Sequence, residues 1–513
     1  MIYTVVRENA YHDSVTLMLA TEEIKAIEGV EEALVGMGTE TNKGFLRDLG
    51  MLTPESEAAT SNDLLIVVKG EEGVLDKVLA KLDEFLKQKV ESSGEERYAQ
   101  SLDGALEMMP DANMVLISVA GEYAGREAMK ALRRGLNVML FSDNVPLEEE
   151  IRLKKYASEK GLLVMGPDCG TAIINGVPLA FANVVSRGNI GMVAAAGTGA
   201  QEVSSIISNL GGGVSQVIGT GGRDVKEAVG GITFLEGIRR LIDDDETDVI
   251  VLVSKPPHES VIKKAIELLK STDKKHVVHF INGTVDDPDI LTAETLEDAA
   301  VKAVLLSKGE PIEKEVYTVY DFIEGPDFKS LAKEEAKKIT KGKYIRGLYS
   351  GGTLTSEAMV MITKEIGPVW SPSPLDPAYK LENIHESKEH TIVDMGEDEF
   401  TQGRPHPMID FTMRKERLVK EYLDPGTAII LLDVVLGYGS HMDPASEIAE
   451  AVNEARSKSK DYVTVIAALC GTYGDPQNYA KQKKTLEEAG VHVFASNASA
   501  VRFAIDVWKE LKA

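Results

Sequence analysis

IGMVAAAGTGAQEVSSII (190–207) carries an apolar strand through a glycine turn straight into a helix, and IRGLYSGGTLTSEAMVMI (345–362) repeats the pattern. In each stretch an apolar run too short for a buried helix meets Gly with Thr or Ser, and apolar residues at helical spacing follow. The two stretches head longer units that continue to match. IRRLIDDDETDVIVLV (238–253) stands beside RLVKEYLDPGTAIILL (417–432), and the last strands end in Gly-Thr turns, INGT (281–284) and LCGT (469–472). Shared α/β grammar alone yields such pieces, but three in one order favour duplication of a single unit.

The alternation extends over most of the chain. DLLIVV (63–68), MVLISV (114–119), VIVLV (249–253), HVVHFI (276–281), AIILLDVV (428–435) and VTVIAAL (463–469) read as strands. Charged amphipathic segments such as ESVIKKAIELLKS (259–271) and SEIAEAVNEARSKS (446–459) read as helices between them. Fully apolar strands separated by helices imply parallel sheets covered on both faces. The expected class is α/β, with several parallel-sheet Rossmann- or flavodoxin-like domains and a small α+β domain at the amino terminus. Breaks in the rhythm set the expected boundaries: a small domain over 1–95, ended by the polar stretch VESSGEER (90–97), then units over 98–185 and 188–306. A charged connector with one amphipathic helix covers 307–343, and a last domain covers 344–513.

The 513 residues predict three or four domains. A formal charge of −26 repels phosphate backbones and anionic lipid, which excludes nucleic acid and membrane surfaces as partners. Cys169 and Cys470 are too few for a disulfide framework, and no Cys/His spacing suits zinc, so no metal is expected. The opening MIYTVVRENAYHD has no signal-peptide core, and no apolar run nears about 18 residues. The expected location is cytoplasmic.

Chemistry concentrates at the glycine turns. A glycine-rich strand-to-helix turn frees backbone N–H groups and aims the helix's positive end at one point, which suits phosphate or carboxylate. Gly197, Thr198 and Gly199 supply that in one half, and Ser350, Gly351, Gly352 and Thr353 in the other. Taken singly, such a turn often needs glycine for geometry alone. Paired halves would point both helix starts at one small anion. IGTGGRD (218–224) adds Gly219, Thr220, Gly221 and Gly222, with Arg223 suited to holding a carboxylate or phosphate. DMGEDEFTQGRPHPMID (394–410) holds Gly403, Arg404 and, between two prolines, His406, an oxyanion clamp or proton donor. Cys169 in GPDCG, His258, His441 and Asp433 are weaker candidates, each as well explained by packing or capping.

From about 98 to 306 the order of motifs resembles the α subunit of succinyl-CoA synthetase: FSDNVP (141–146), LLVMGPDCGTAI, NIGMVAAAGTGAQEV, VIGTGGRD and TDVIVLV. From about 344 the chain resembles the carboxy-terminal ligase domain of that enzyme's β subunit. The fused arrangement behind a distinct amino-terminal domain is the pattern of the FdrA family, and the resemblance covers essentially the whole chain. It implies that the helices starting at Gly197–Gly199 and Ser350–Thr353 face each other across a phosphate-handling site. It implies a candidate CoA pocket at Ala120, Gly121, Ser142, Pro146, Gly166 and Pro167, within Ala120–Tyr123, Ser142–Pro146 and Gly166–Gly170.

The departures from the synthetases bear on function. INGTVDDPDILTAETLEDAAVKA (281–303) has neither the histidine nor the glycine-rich loop that carries phosphohistidine in the synthetases, and no ATP-grasp domain is present. Alone, the chain cannot complete ATP-dependent CoA ligation. The FdrA resemblance instead implies a subunit of an oxamate carbamoyltransferase in anaerobic allantoin breakdown, in which phosphate attacks oxalurate to give oxamate and carbamoyl phosphate. Arg223 and Arg404 would hold substrate oxygens and His406 would handle the proton on the leaving amide. Two alternatives stand beside this: an acyl-CoA synthetase subunit whose partner binds nucleotide, and a non-catalytic regulatory subunit. Partner subunits, or failing those a homodimer, are expected; phosphate is expected as substrate and CoA is a candidate cofactor.

Overall fold

Each apolar run named above forms a strand, and most are buried on both faces, as a sheet covered by helices on either side requires; MVLISV is the exception, with Leu116 exposed. The computed structural model describes residues 1–8, 10, 12, 14–91, 99–401 and 404–513. The chain divides into two compact units, one of Met1–Pro110 with Gln402–Arg404 and one of Asp111–Thr401 with Pro405–Ala513. Most of the polar stretch 90–97, and Gly403, lie outside the described residues.

In the first unit, β1 (Ile2–Arg7), β2 (Val30–Met37) and β3 (Leu64–Gly70) form an antiparallel sheet in the order β1-β3-β2. Central β3 buries Leu64 through Val68 on both faces. Helices Ser14–Lys25 and Val74–Glu91 cover one of them through Leu17, Ile24, Val78 and Leu82.

The second unit contains three sheets. β4 (Met114–Ile117), β5 (Asn137–Leu140) and β6 (Val164–Met165) form a small parallel sheet. An antiparallel hairpin, β7 (Thr171–Ile174) and β8 (Val177–Ala180), extends the next sheet. That sheet's parallel core is β9 (Arg187–Ala195), β10 (Val214–Gly219), β11 (Val249–Ser254) and β12 (Lys275–Phe280), in the order β12-β11-β9-β10. The last sheet holds β13 (Tyr344–Tyr349), β14 (Thr391–Asp394), β15 (Thr427–Val435), β16 (Thr464–Cys470) and β17 (His492–Phe494), all parallel, in the order β14-β13-β15-β16-β17. The strand before each glycine turn, β9 or β13, has the next strand in sequence on one side and the third on the other. The two halves therefore share one strand order.

One apolar core runs through both halves. Val203, Ile206 and Ile207 of helix Gly197–Asn209 join Leu354, Ala358 and Ile362 of helix Gly352–Glu365, with Val501, Phe503 and Val507 of helix Asn497–Lys512. Polar groups lock the seam. Asn183 Nδ2 donates to Leu436 O at 2.9 Å and to Asp475 at 2.8 Å, while Leu296 N donates to Glu357 at 2.8 Å. Segment 281–295 folds back beside β12, with Ala293 N donating to Val278 O, before Thr295 caps helix Leu296–Lys308.

Under the second glycine turn lies a buried ion pair. Arg414 Nη2 meets Asp433 Oδ1 at 2.8 Å and also donates to Leu348 O, and the Asp433 carboxylate accepts the Ser350 N–H at 2.8 Å. Removing one partner strands the other charge in the core, at a cost of about 3–5 kcal/mol. Arg414→Met is expected to unfold at markedly lower urea concentration than the parent chain, read by circular dichroism, whereas Arg404→Met on the exposed surface leaves the midpoint unchanged.

Candidate functional site

The two glycine turns meet. A Cβ on Gly351 would lie 2.6 Å from Thr198 Cγ2 and 2.7 Å from Thr198 Oγ1, and a Cβ on Gly199 would lie 2.7 Å from Thr353 Cγ2. Each helix sets its second-residue threonine against a glycine of the other. Neither φ is positive here, so these glycines serve close approach and not a left-handed turn. Both helices begin without a side-chain cap, on Ala196 and on Gly351, so their first-turn N–H groups have no intrahelical acceptor and no capping oxygen. Thr198 is buried, and its hydroxyl has no partner. An oxyanion at this junction would meet aligned donors and two positive helix ends.

Charged groups from the carboxyl ends of neighbouring strands surround the second helix start. A Cβ on Gly352 would lie 2.5 Å from Asp394 Oδ2, at the end of β14, and 3.1 Å from Lys255 Nζ, just past β11. The Gly396 N–H donates to Asp394 Oδ1 at 2.9 Å. Burial pushes the Asp394 carboxyl up to about 7; Glu397 and Asp433 add repulsion, while Lys255 and the Gly396 N–H oppose it. Asp168, in the turn after β6, is pushed up to about 6 by burial and by Asp143 and Asp398, against Lys255 and Arg223. Lys255 thus stands between two carboxyls that both resist ionising.

His406 is placed here as well, in a different state from a free loop histidine. Its Nδ1 accepts the Met408 N–H at 3.2 Å, which leaves the proton on Nε2. Burial, with Arg414 nearby, pulls its pKa down to about 4, so the ring is neutral at physiological pH. A Cβ on Gly396 would meet His406 Nε2 and Ser350 O, each at 2.8 Å.

The IGTGG loop plays a packing part. A Cβ on Gly219 would lie 2.2 Å from Thr171 O, and one on Gly221 2.1 Å from Pro167 O, so both glycines let this loop press against the GPDCG turn. Thr220 is wholly buried, and its carbonyl accepts from Lys154 Nζ; only Gly222 faces open space. Arg223 is engaged with Glu150 at 3.0 Å and with Val145 O at 2.7 Å. Arg404 is exposed and groups with the first unit, outside the unit that holds His406. The structure therefore brings Gly197–Gly199, Ser350–Thr353 and His406 together, while Arg223, paired with Glu150, acts on Asp168.

Residues of the candidate CoA pocket share one edge, the carboxyl ends of β4, β5 and β6. Ala120 and Pro146 precede helices Gly121–Arg133 and Leu147–Glu159, neither of which has a side-chain cap. Gly121 lies so close to the 143–144 backbone that a Cβ would be 2.2 Å from Asp143 O. Ser142 is buried, and Gly166, at φ +95°, leads through a cis bond into Pro167. Leu116, Val119 and Tyr123 are exposed nearby in sequence. A cavity of about 810 Å³ opens elsewhere in this unit, beside the end of β12; its lining includes none of Thr198, Ser350, Lys255 or Asp394.

Three of the weaker candidates have structural surroundings. Burial pushes the Cys169 thiol up to about 12, His258 caps helix Glu259–Leu269, and Asp433 holds Ser350. Lys255, Asp394 and Asp168 were not singled out from the sequence. Each lies at or just past the end of an apolar strand, which is where open α/β sheets gather ligand-binding groups.

Two ligase-type halves joined helix start to helix start, beside a small Rossmann-like sheet, define a fused succinyl-CoA synthetase-like protein. The chain is 42% identical over 503 residues to the uncharacterized protein YahF of Escherichia coli K12, covering 96% of each, and it belongs to that FdrA-like family. Three family models match: AllF, heavy metal-associated domain (1–101), CoA binding domain (185–283) and CoA-ligase (348–507). Succinate–CoA ligase [ADP-forming] subunit alpha 2 of Archaeoglobus fulgidus is 30% identical over 149 residues, 28% of this chain and 50% of that protein. The solved ATP citrate lyase from Methanothrix soehngenii, in complex with citrate and coenzyme A, aligns with 80% of this chain and 84% of its own at 11% identity and a TM-score of 0.35. Soft heavy metals favour thiolate ligands, and residues 1–101 contain no cysteine to supply them. Among the described residues no helix is long and apolar enough to cross a membrane.

The Gly351–Thr198 contact makes a steric test. Gly351→Ala is expected to destabilise the second unit by about 1–3 kcal/mol through overpacking. Adding Thr198→Gly removes all three clashing atoms and is expected to recover most of that loss in the same urea titration, a coupling that independent sites would not show.

Proposed function

We propose that this chain is the anion-handling subunit of a phosphate-dependent carbamoyltransferase that converts oxalurate and phosphate to oxamate and carbamoyl phosphate. The observation that carries the reading is the reciprocal meeting of two uncapped helix starts around the unpartnered Thr198 hydroxyl. Free N–H groups of Gly197–Gly199 and Gly352–Thr353 would hold phosphate and the oxyanion that develops on the carbamoyl carbon. Lys255, which lies against the second helix start, would hold the substrate carboxylate, with Arg223 acting on Asp168 nearby. Neutral His406 would offer its Nε2–H as a fixed donor beside Ser350 and Gly396. Gly219 and Gly221, packed against Thr171 and Pro167, would keep the turn that carries Asp168 in place.

A second reading rests on the CoA-binding and CoA-ligase family matches. In it, Ala120, Gly121, Ser142, Pro146, Gly166 and Pro167 would hold CoA at the edge of β4–β6, where two uncapped helix starts suit its phosphates. Bound CoA would supply an acyl-accepting thiol. The chain would then be a ligase subunit, as the succinate–CoA ligase relatives are by name, with a partner providing nucleotide binding. On either reading the chain works within a larger assembly.

The complex reconstituted with its partner subunits is expected to release carbamoyl phosphate from oxalurate only when inorganic phosphate is present. Lys255→Met is expected to lower kcat/KM for oxalurate by about 10- to 100-fold, the equivalent of one charge-assisted hydrogen bond. Release of no carbamoyl phosphate, together with saturable CoA binding and phosphate-linked acyl-CoA formation, would replace the carbamoyltransferase reading with the ligase one.

A further inference from the structure

We propose that Asp394 couples anion entry to proton uptake: an oxyanion settles at the start of helix Gly352–Glu365 as Asp394 takes on a proton, and Asp394 then gives that proton to the departing group. This rests on the anion-site reading above and assigns that site its proton carrier.

The geometry places the carboxyl where the anion must come. Asp394 Oδ2 lies 2.5 Å from the Cβ position of Gly352, the first residue of the helix. As a carboxylate it would compete for the same positive helix end and repel an incoming oxyanion. As a neutral acid it would add a donor to the cradle. The Thr198 hydroxyl, buried and without a partner, stands at the junction of the two helix starts and points independently to a missing ligand.

The charges around Asp394 set the balance. Lys255, from the end of β11, favours the carboxylate, and so does the Gly396 N–H. Glu397 on the same loop and Asp433 on β15 favour the acid, as does burial. Arg414, from helix Thr412–Leu423, is tied to Asp433 and Leu348 O. His406 is neutral and brings only a donor. These opposing influences leave the carboxyl near 7, where an arriving anion tips it to the acid.

The step balances without a further reactant. A phosphate oxygen of HPO₄²⁻ bonds to the carbamoyl carbon of oxalurate, and the bond from that carbon to the oxamate nitrogen breaks. The nitrogen leaves with the electron pair and receives the proton from Asp394. The Asp394 carboxylate then recovers a proton from the phosphoryl group that has become part of the mixed anhydride, and carbamoyl phosphate departs as the dianion. Acid and base are thus one group used twice.

Sulfate is the probe, because unlike phosphate it does not titrate near pH 7. Calorimetry of sulfate binding to the whole chain, in buffers of different ionisation enthalpy, reads the protons taken up. Because the anion favours protonated Asp394, uptake should be near zero at pH 5.5 and approach one proton by pH 8. Over the same range Kd should rise toward about tenfold per pH unit above 7. Asp394→Asn should bind sulfate with no uptake and with a flat pH dependence. In Lys255→Met, which lacks the nearest cation, the onset of uptake should move to higher pH; this arm decides if Asp394→Asn does not fold. Sulfate binding without uptake in the parent chain, uptake that persists in Asp394→Asn, or an onset unmoved in Lys255→Met overturns the proton coupling and leaves the anion site standing. If the parent chain binds no sulfate at all, the anion-site reading fails and takes this inference with it.

Discussion

The second unit depends on how closely two helix starts can approach. Thr198 rests on Gly351 and Thr353 on Gly199, at distances that leave no room for a Cβ on either glycine. Two positive helix ends face each other here, with the Asp394 carboxyl beside one of them. The halves are held by other means: the shared apolar core around helices Gly197–Asn209, Gly352–Glu365 and Asn497–Lys512, and the hydrogen bonds of Asn183 and Glu357 across the seam. Apolar burial and a polar lock therefore keep the two helix starts together.

The surrounding charges follow from the same geometry. β11 and β14, from different halves, both end beside the second helix start and deliver Lys255 and Asp394 to one glycine. Water is excluded there, so Asp394 resists ionising even though Lys255 is adjacent. Below the turn, where no ligand is needed, Asp433 is fully paired with Arg414 and Ser350. The carboxyl aimed at the site is held near the point of titration, and the one that supports the site is tied down.

Much of this was legible along the chain. Apolar runs such as VIVLV and AIILLDVV became parallel strands because their composition suits nothing but a doubly covered sheet. The two glycine turns announced themselves as strand-to-helix junctions, and the matched pieces prefigured the common strand order. The site was less legible. Gly219 and Gly221 looked like ligand-facing glycines, yet they serve the contact with Thr171 and Pro167. Arg223 looked like a clamp and is taken by Glu150. Lys255 drew no notice, because a lysine at a strand end acquires meaning only from what another half of the molecule brings beside it.

By itself, the sequence determined the strands, the helices, the class of fold and the two glycine turns. These are local matters of period, length and backbone freedom. Only the tertiary structure decided which glycines make room for a neighbouring helix, which lysine lies against a helix start and which carboxyl resists ionising. Those properties belong to pairs of groups far apart in the chain: Thr198 with Gly351, Lys255 with Asp394. A pKa or a steric gap depends on distance in space and on exclusion of water, and neither is written in the order of residues along one segment.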